Sequence, residues 1–225
     1  NSAVDQLHAA DYVLMFSTRF KLAIAKYLSA AIFTLIKFGG GNPRCIKCRR
    51  KGINWELNLE EGIDLALFLF GVFEWETAST LNRLTKPGMC VIDIGANIGA
   101  HALPLARAVS GSGKVLAVEP TDWAYGKLCR NLELNREHCN VLIPVQAFLN
   151  DGVAQLPERI CSSWPVGRTI DDTHPVHGGL AKGTAGAVSL TLDELVLSHN
   201  LQRVDLIKLD VDGFEAQVLR GGGEV

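Results

Sequence analysis

Apolar and polar positions lay out most of the chain before any motif is considered. Residues 4–38 are apolar at helical spacing, with Phe16, Phe20, Ile24, Tyr27, Leu28 and Leu35 on one wide stripe. Gly39-Gly40-Gly41-Asn42-Pro43 ends that pattern. Residues 44–58 read as a hairpin turning at Lys51-Gly52, with alternation running from Ile53 to Leu59. Helices are predicted over Glu60–Phe70 and Thr77–Leu84, joined by the aromatic loop Gly71–Glu76.

A different pattern starts at Met89. Met89–Ile94, Lys114–Glu119 and Val141–Ala147 are short apolar runs, and Val204–Leu209 is a fourth. Continuous apolar runs of this length mark strands buried on both faces of a parallel sheet. Between them lie two helical stretches, Ala100–Val109 and Asp122–Leu134; Pro104 conflicts mildly with the first, and Asp122 is placed to cap the second. The β-α-β-α-β order predicts an α/β fold with right-handed crossovers. Leu149–Val188, rich in Gly, Pro and Asp, is too long for an ordinary connection and is expected to act as a substrate-side flap carrying His174 and His177.

Charge divides the chain in two. Residues 1–51 hold nine Lys/Arg against two Asp, a net +7, and the remainder holds 13 against 22, a net −9. The acidic body argues against an extended nucleic-acid footprint there. The basic, apolar front segment fits amphipathic helices, with a weak membrane-surface contact through residues 4–38 as the sharper expectation. Its longest charge-free apolar stretch, Tyr27 to Ile36, falls short of the ~20 residues a span requires. Two domains are expected: a basic helical segment over 1–43 and an α/β domain over 44–225.

Six cysteines are scattered, and only Cys45 and Cys48 are close together. On a strand that spacing puts the two thiols on opposite faces, and no second pair follows, so no metal site is expected. Scattered thiols fit a reducing compartment, hence a cytoplasmic location.

The chemistry lies at the strand ends. Asp93-Ile94-Gly95-Ala96-Asn97-Ile98-Gly99 follows the first sheet strand. The two glycines allow a tight turn close to a ligand, and the following helix N-terminus offers N–H groups to an anion. Glu119, at the tip of the next strand, sits where ribose hydroxyls are received in such sheets. A dinucleotide loop needs G-x-G-x-x-G, and Asn97 with its missing third glycine counts against that ligand. His101, on the first turn of the following helix, could touch a cofactor carboxylate or simply pack there. Asp210 ends the fourth strand and faces the cleft, where it could act as general base or hold a divalent cation. Lys208 and Glu215 are expected to pair and orient it. Trp55, Glu74 and Trp75 are expected on the acceptor side.

Val91-Ile-Asp-Ile-Gly-Ala-Asn-Ile-Gly99, Val118-Glu-Pro120 and Asn131-Leu-Glu-Leu-Asn135 resemble the FkbM-type methyltransferases, as do Thr191-Leu-Asp-Glu-Leu195 and Val204-Asp-Leu-Ile-Lys-Leu-Asp-Val-Asp-Gly-Phe-Glu215. Asp212 stands where that family more usually has Glu. The resemblance, over about residues 50–225, implies a Rossmann-like class I methyltransferase sheet with S-adenosylmethionine as cofactor. It also implies O-methylation of a hydroxyl on a sugar or small natural product, so the partner is a small-molecule or glycan acceptor. Carried over by position, the cofactor loop falls on Asp93, Gly95, Asn97 and Gly99, and the ribose acid on Glu119. Asp151 matches the place of an acid near the adenine. A seven-stranded sheet would need strands beyond Gly221-Gly-Gly223, so the chain is expected to be C-terminally incomplete or a shortened variant. The competing readings are a nicotinamide-linked oxidoreductase and a non-catalytic binding module on the same fold.

Overall fold

A computed structural model of the chain describes residues 30–166 and 179–225. The chain divides into two compact units, Asn1–Pro43 and Arg44–Val225. In the first, residues 30–38 are helical and the chain turns at Gly39-Gly40. Gly40 takes a φ of +77°, which only glycine adopts without strain. The N–H groups of Gly39 and Gly41 bond the carbonyls of Leu35 and Ile36, so the helix stops where the glycine run was expected to stop it. The rest of the amphipathic stretch, residues 4–29, lies outside the described residues. Among the described residues no helix is long and apolar enough to cross a membrane.

The second unit opens with a hairpin, β1 (Ile46–Arg50) against β2 (Ile53–Leu57). Lys51 and Gly52 both have positive φ, the two-residue turn whose twist matches paired strands. Ile53, Trp55 and Leu57 point inward and are buried, as their alternation predicts. Trp55 therefore belongs to the core; the expectation that it lines an acceptor site is corrected by its 1% exposure. Helices α1 (Gly62–Phe70) and α2 (Trp75–Leu84) follow.

Four parallel strands make the central sheet: β3 (Cys90–Ile94), β4 (Lys114–Val118), β5 (Leu142–Val145) and β10 (Leu206–Leu209). Their spatial order is β10-β3-β4-β5. Helices α3 (Ala102–Val109) and α4 (Asp122–Glu133) make the first two crossovers. The chain runs outward from β3 to β5, then returns to place β10 on β3's other side. The topological switch point thus falls between β3 and β10, and such sheets bind ligands outside the carboxyl ends of the strands at that point. All five residues of β3 are buried. One core cluster joins Ile92, Ile94, Leu116 and Val118 to Leu195 and Val218; each such side chain contributes about 1.5–3 kcal/mol on burial.

Several sequence expectations shift here. The third strand divides at Gln146: β5 pairs with β4, whereas β6 (Ala147–Leu149) leaves to pair in parallel with β9 (Val188–Leu190). Pro144 is tolerated because β5 is an edge strand of the sheet. Pro104 is the third residue of α3, inside the first turn, where its missing donor has no intrahelical acceptor anyway. Asp122 begins α4 and does not cap it; Thr121 is the cap residue, and its hydroxyl donates to Glu119 instead. The long connection after β6 contains its own antiparallel pair, β7 (Arg159–Ser163) with β8 (Leu180–Gly183). His174 and His177 lie outside the described residues. Thr191 and Glu194 form a reciprocal capping box at the start of α5 (Leu192–Ser198), a local reason for the T-L-D-E run. The last helix is α6 (Glu215–Arg220).

Candidate active site

A cavity of about 360 Å³ opens at the carboxyl ends of β3, β4 and β10. That lies within the size range of small-ligand sites. Its floor is Ile94, Gly95, Ala96 and Asn97, with Val118, Glu119 and Pro120 on one side and Lys208 and Asp210–Asp212 on the other. Ala147–Leu149, Ile160–Ser162, Trp164 and Phe214 supply a mostly apolar wall, and Phe73, Glu74 and His101 line a further part.

The floor owes its shape to close approaches. Gly95 has φ +80°, and a Cβ there would lie 1.9 Å from the Asp210 carbonyl oxygen. A Cβ on Gly99 would meet Leu128 at 2.8 Å. The two glycines therefore admit close approaches of other parts of the protein, and Gly95 also lines the cavity. Asn97 has φ +48°, a conformation Asn tolerates better than most residues. Its side-chain amide donates to Ser162 O at 2.9 Å, and its Oδ1 accepts from Ile98 N at 3.0 Å. Gly95 N and Ala96 N both donate to Val118 O.

Glu119 is 3% exposed and lines the cavity. Its Oε2 accepts from Asn97 N (3.0 Å), and its Oε1 accepts from Thr121 N (3.0 Å) and Thr121 Oγ1 (2.6 Å). A carboxylate has about four acceptor sites. Three are taken by the protein, so Oε2 has capacity for one further donor rather than for two vicinal hydroxyls. Burial pushes the Glu119 pKa up, against the opposing pull of those hydrogen bonds.

Across the cavity, parallel register sets Lys208 directly beside Asp93. Lys208 Nζ lies 3.3 Å from Asp93 Oδ1 and 3.4 Å from Asp210 Oδ2, and donates to Gly95 O at 3.1 Å. Burial works against the Lys208 charge, but Asp93 and Asp210 prevail and hold its pKa above the ordinary value. Asp93 is completely buried, whereas the Asp210 side chain is 54% exposed. Asp93 thus stabilises the floor from beneath and is not among the residues lining the cavity; Asp210 reaches the opening.

The expected Lys208–Glu215 pair is not formed. Glu215 accepts from Val211 N and Gly213 N, bracing the turn into α6. Its own N–H and those two hold its pKa below the usual carboxylate range. Asp151 also stands away from the cavity: it is bound by Arg220 at 3.1 Å and accepts from Val153 N and Ala154 N. The Arg220 guanidinium lowers its pKa. Each carboxylate is satisfied away from the cavity, Glu215 by the backbone of the turn before it and Asp151 by Arg220 and its own loop. Trp75 is 65% exposed beneath Lys51, outside this cavity, whereas Glu74 does line it. His101 precedes α3, is 6% exposed and lines the cavity.

Sequence reasoning missed Thr121, Ser162 and Trp164. Thr121 follows the acid-Pro pair directly, and that adjacency was its available signal. Ser162 lies on β7 and Trp164 follows directly after it, and both line the cavity. The Ser162 hydroxyl meets Thr121 Oγ1 at 2.9 Å. Buried Glu61 accepts from Ser163 Oγ and Trp164 N, tying β7 to the start of α1.

The sequence model described as Methyltransferase FkbM domain matches residues 93–225, more than half of the chain. The chain belongs to the FkbM methyltransferase family. Ile94–Asn97 of the loop motif, Glu119, and Lys208 with Asp210–Asp212 of the second block all line this one cavity, and S-adenosylmethionine is the cofactor that goes with the family. The chain is 30% identical to methyltransferase sdnD of Sordaria araneosa, over 60% of each protein. It is 28% identical to hexuronic acid methyltransferase AglP of Haloferax volcanii, over 57% of this chain and 48% of that one. The chain thus spans three-fifths or less of these relatives' length. Among solved structures, M. jannaschii TYW2 in complex with AdoMet aligns with 52% of this chain and 49% of its own, at 24% identity and a TM-score of 0.37.

Proposed function

We propose that this FkbM-family protein transfers a methyl group from S-adenosylmethionine to a hydroxyl of a sugar or small natural product. The observation that carries the reading is the cavity at the switch point, with buried Glu119 on one flank and exposed Asp210 on the other. The residues present suit that cofactor. Oε2 of Glu119 has room for one ribose hydroxyl. Phe148, Phe214 and Ile160 give an apolar wall for a base. Phe148 and Phe214 already meet edge to face, with centroids 5.0 Å apart. The cofactor supplies an electrophilic methyl on a sulfonium. Asp210, held by Lys208, orients the acceptor hydroxyl, and Glu215 keeps the turn carrying it in shape. Positioning of this kind accounts for much of the catalysis of an in-line displacement. The hexuronic acid named in AglP's description supports a glycan acceptor. A nicotinamide-linked reaction is not favoured by any of these features.

Calorimetry with S-adenosylhomocysteine tests the reading. Wild type should bind it, and Glu119→Ala should weaken binding at least tenfold, since a hydrogen bond to a charged group contributes about 1.5–3 kcal/mol. Asp210→Asn should retain affinity while losing methyl transfer. No heat with wild type would favour a non-catalytic module.

A further inference from the structure

We infer that His101 is the proton acceptor for the acceptor hydroxyl, and that the hydroxyl approaches it from a second cavity on the far side of its ring. This rests on the O-methyl transfer proposed above and adds the base and the acceptor's route.

The site leaves one buried group unused. His101 Nε2 is buried and makes no hydrogen bond. A buried polar atom without a partner is uncommon in a folded protein and asks for a reason. The nearest acid to it is Glu74, whose Oε2 lies 3.8 Å away, beyond hydrogen-bond reach. Glu74 has φ +46°, a strained backbone for a non-glycine residue, and its side chain is 44% exposed.

The second observation is independent. A second cavity of about 620 Å³ lies between the β1–β2 turn, α2 and α3. Its lining shares Phe73, Ala100 and His101 with the cofactor cavity. Methyl transfer needs donor and acceptor to meet, and His101 stands on the wall common to the two spaces. The second cavity carries Lys51 and Arg107 and no carboxylate, which suits a neutral or acidic hydroxyl compound better than an amine.

Asp210 is poorly suited to the same task. Its Oδ2 is already engaged by the Lys208 ammonium at 3.4 Å, which Asp93 shares at 3.3 Å. The groups facing the imidazole are Glu74 before α2, Asp93 on β3, and Lys208 and Asp210 on or just after β10. Burial outweighs them and holds the His101 pKa below 6.5, so the ring is neutral and receptive at pH 7. In the step, the hydroxyl oxygen forms its bond to the methyl carbon as the sulfur–methyl bond breaks, with that electron pair remaining on sulfur. The hydroxyl proton moves to Nε2, is stabilised opposite Glu74, and leaves through Glu74's exposed side to water.

The test uses methyl-labelled S-adenosylmethionine with methyl α-D-glucopyranoside and D-glucuronic acid as acceptors. It is run alongside S-adenosylhomocysteine calorimetry and nitrogen NMR of the His101 ring in that complex. Expected results are turnover at least 100-fold lower in His101→Ala, no rescue by His101→Gln, and loss of the acid limb of the pH profile. S-adenosylhomocysteine affinity should stay within threefold of wild type. Glu74→Gln should move that limb to lower pH. Turnover within fivefold of wild type overturns the inference, and so does lost S-adenosylhomocysteine affinity, which would make His101 a cofactor contact. If wild type methylates neither acceptor, the ring decides: an unprotonated Nε2 at pH 7 supports the assignment, and a protonated one overturns it. If wild type does not bind S-adenosylhomocysteine, the methyltransfer reading fails and this inference falls with it; binding with failure of the His101 arms removes the inference alone.

Discussion

Replacing Lys208 with Met probes the floor of the cavity more directly than any change to its walls. The substitution keeps most of the apolar stem and removes the ammonium that sits between Asp93 and Asp210. Asp93 is 0% exposed, and neither of its oxygens accepts a hydrogen bond, so Lys208 at 3.3 Å is its stabilising partner. At that separation and an effective dielectric near 20, the attraction is about 5 kcal/mol. Much of it offsets the desolvation of both groups, so the intact pair adds little net stability. Removing one member is different, because a buried charge is left uncompensated, at a cost of about 3–5 kcal/mol. Lys208→Met should therefore lower urea-unfolding stability by about that amount. Asp93→Asn with Lys208→Met should recover a large part of it, since neither charge remains. Asp210→Asn alone should cost under about 1 kcal/mol, because that side chain is half exposed. The pH dependence has a definite sign. The folded pKa of Lys208 lies above the ordinary 10.5, so its contribution is complete below 10.5 and disappears as pH rises through the folded value. Wild type should lose stability in that alkaline window and Lys208→Met should not show the same loss. A Lys208→Met protein within 1 kcal/mol of wild type, or a double variant no more stable than the single, would refute the reasoning.

Two further outcomes follow from the packing around the loop. Asn131→Ala removes the donor to Ile98 O and the acceptor of Glu56 N; leaving both groups unpaired should cost about 2–4 kcal/mol and speed amide exchange at Glu56, read by hydrogen-exchange NMR. Gly95→Ala puts a methyl 1.9 Å from the Asp210 carbonyl at a φ of +80°; it should destabilise the fold by more than about 2 kcal/mol in chemical unfolding and weaken S-adenosylhomocysteine binding, whereas the neighbouring Ala96→Gly should leave the β3–β10 approach intact.

The parallel sheet was legible because buried strands advertise themselves. Cys90–Ile94 and Lys114–Val118 have no polar face to confuse the period, and each lies within one residue of the bounds its apolar run predicts. Gly95, Asn97 and Glu119 were legible for a related reason: they occupy strand ends, and the order of elements dictates which ends come together. Partners were not legible. Nothing in sequence spacing says whether Lys208 turns toward Glu215, seven residues on, or across the sheet to Asp93. Strand register decides that, by setting Lys208 opposite Asp93. The split at Gln146 was hidden because Val145 and Ala147 are both apolar, so one run serves two sheets. Ser162 and Trp164 were hidden most deeply, because they reach the cavity through a hairpin inside an irregular stretch whose flanks carry no comparable period.

The loop over Gly95–Gly99 was read as a cradle for a ligand anion, and its hydrogen bonds change that role. Its floor lies against the Asp210 carbonyl, its Asn97 amide is spent on Ser162, its Asn97 N–H on Glu119, and its Ile98 carbonyl on Asn131. Four segments far apart in sequence thus converge on five residues. Asn131 and Asn135 extend the brace outward, bonding the backbone of Glu56 and Asn54 and so tying the β1–β2 hairpin to α4. A loop so fully engaged is a fixed wall with little donor capacity of its own to offer. On the function proposed above, cofactor recognition falls to the side chains that face the space, Oε2 of Glu119 and the aromatic wall, and leaves Asp210 and the unpartnered nitrogen of His101 for the acceptor. A floor fixed before any ligand arrives costs no ordering entropy when it binds, which is the general advantage of preorganised sites.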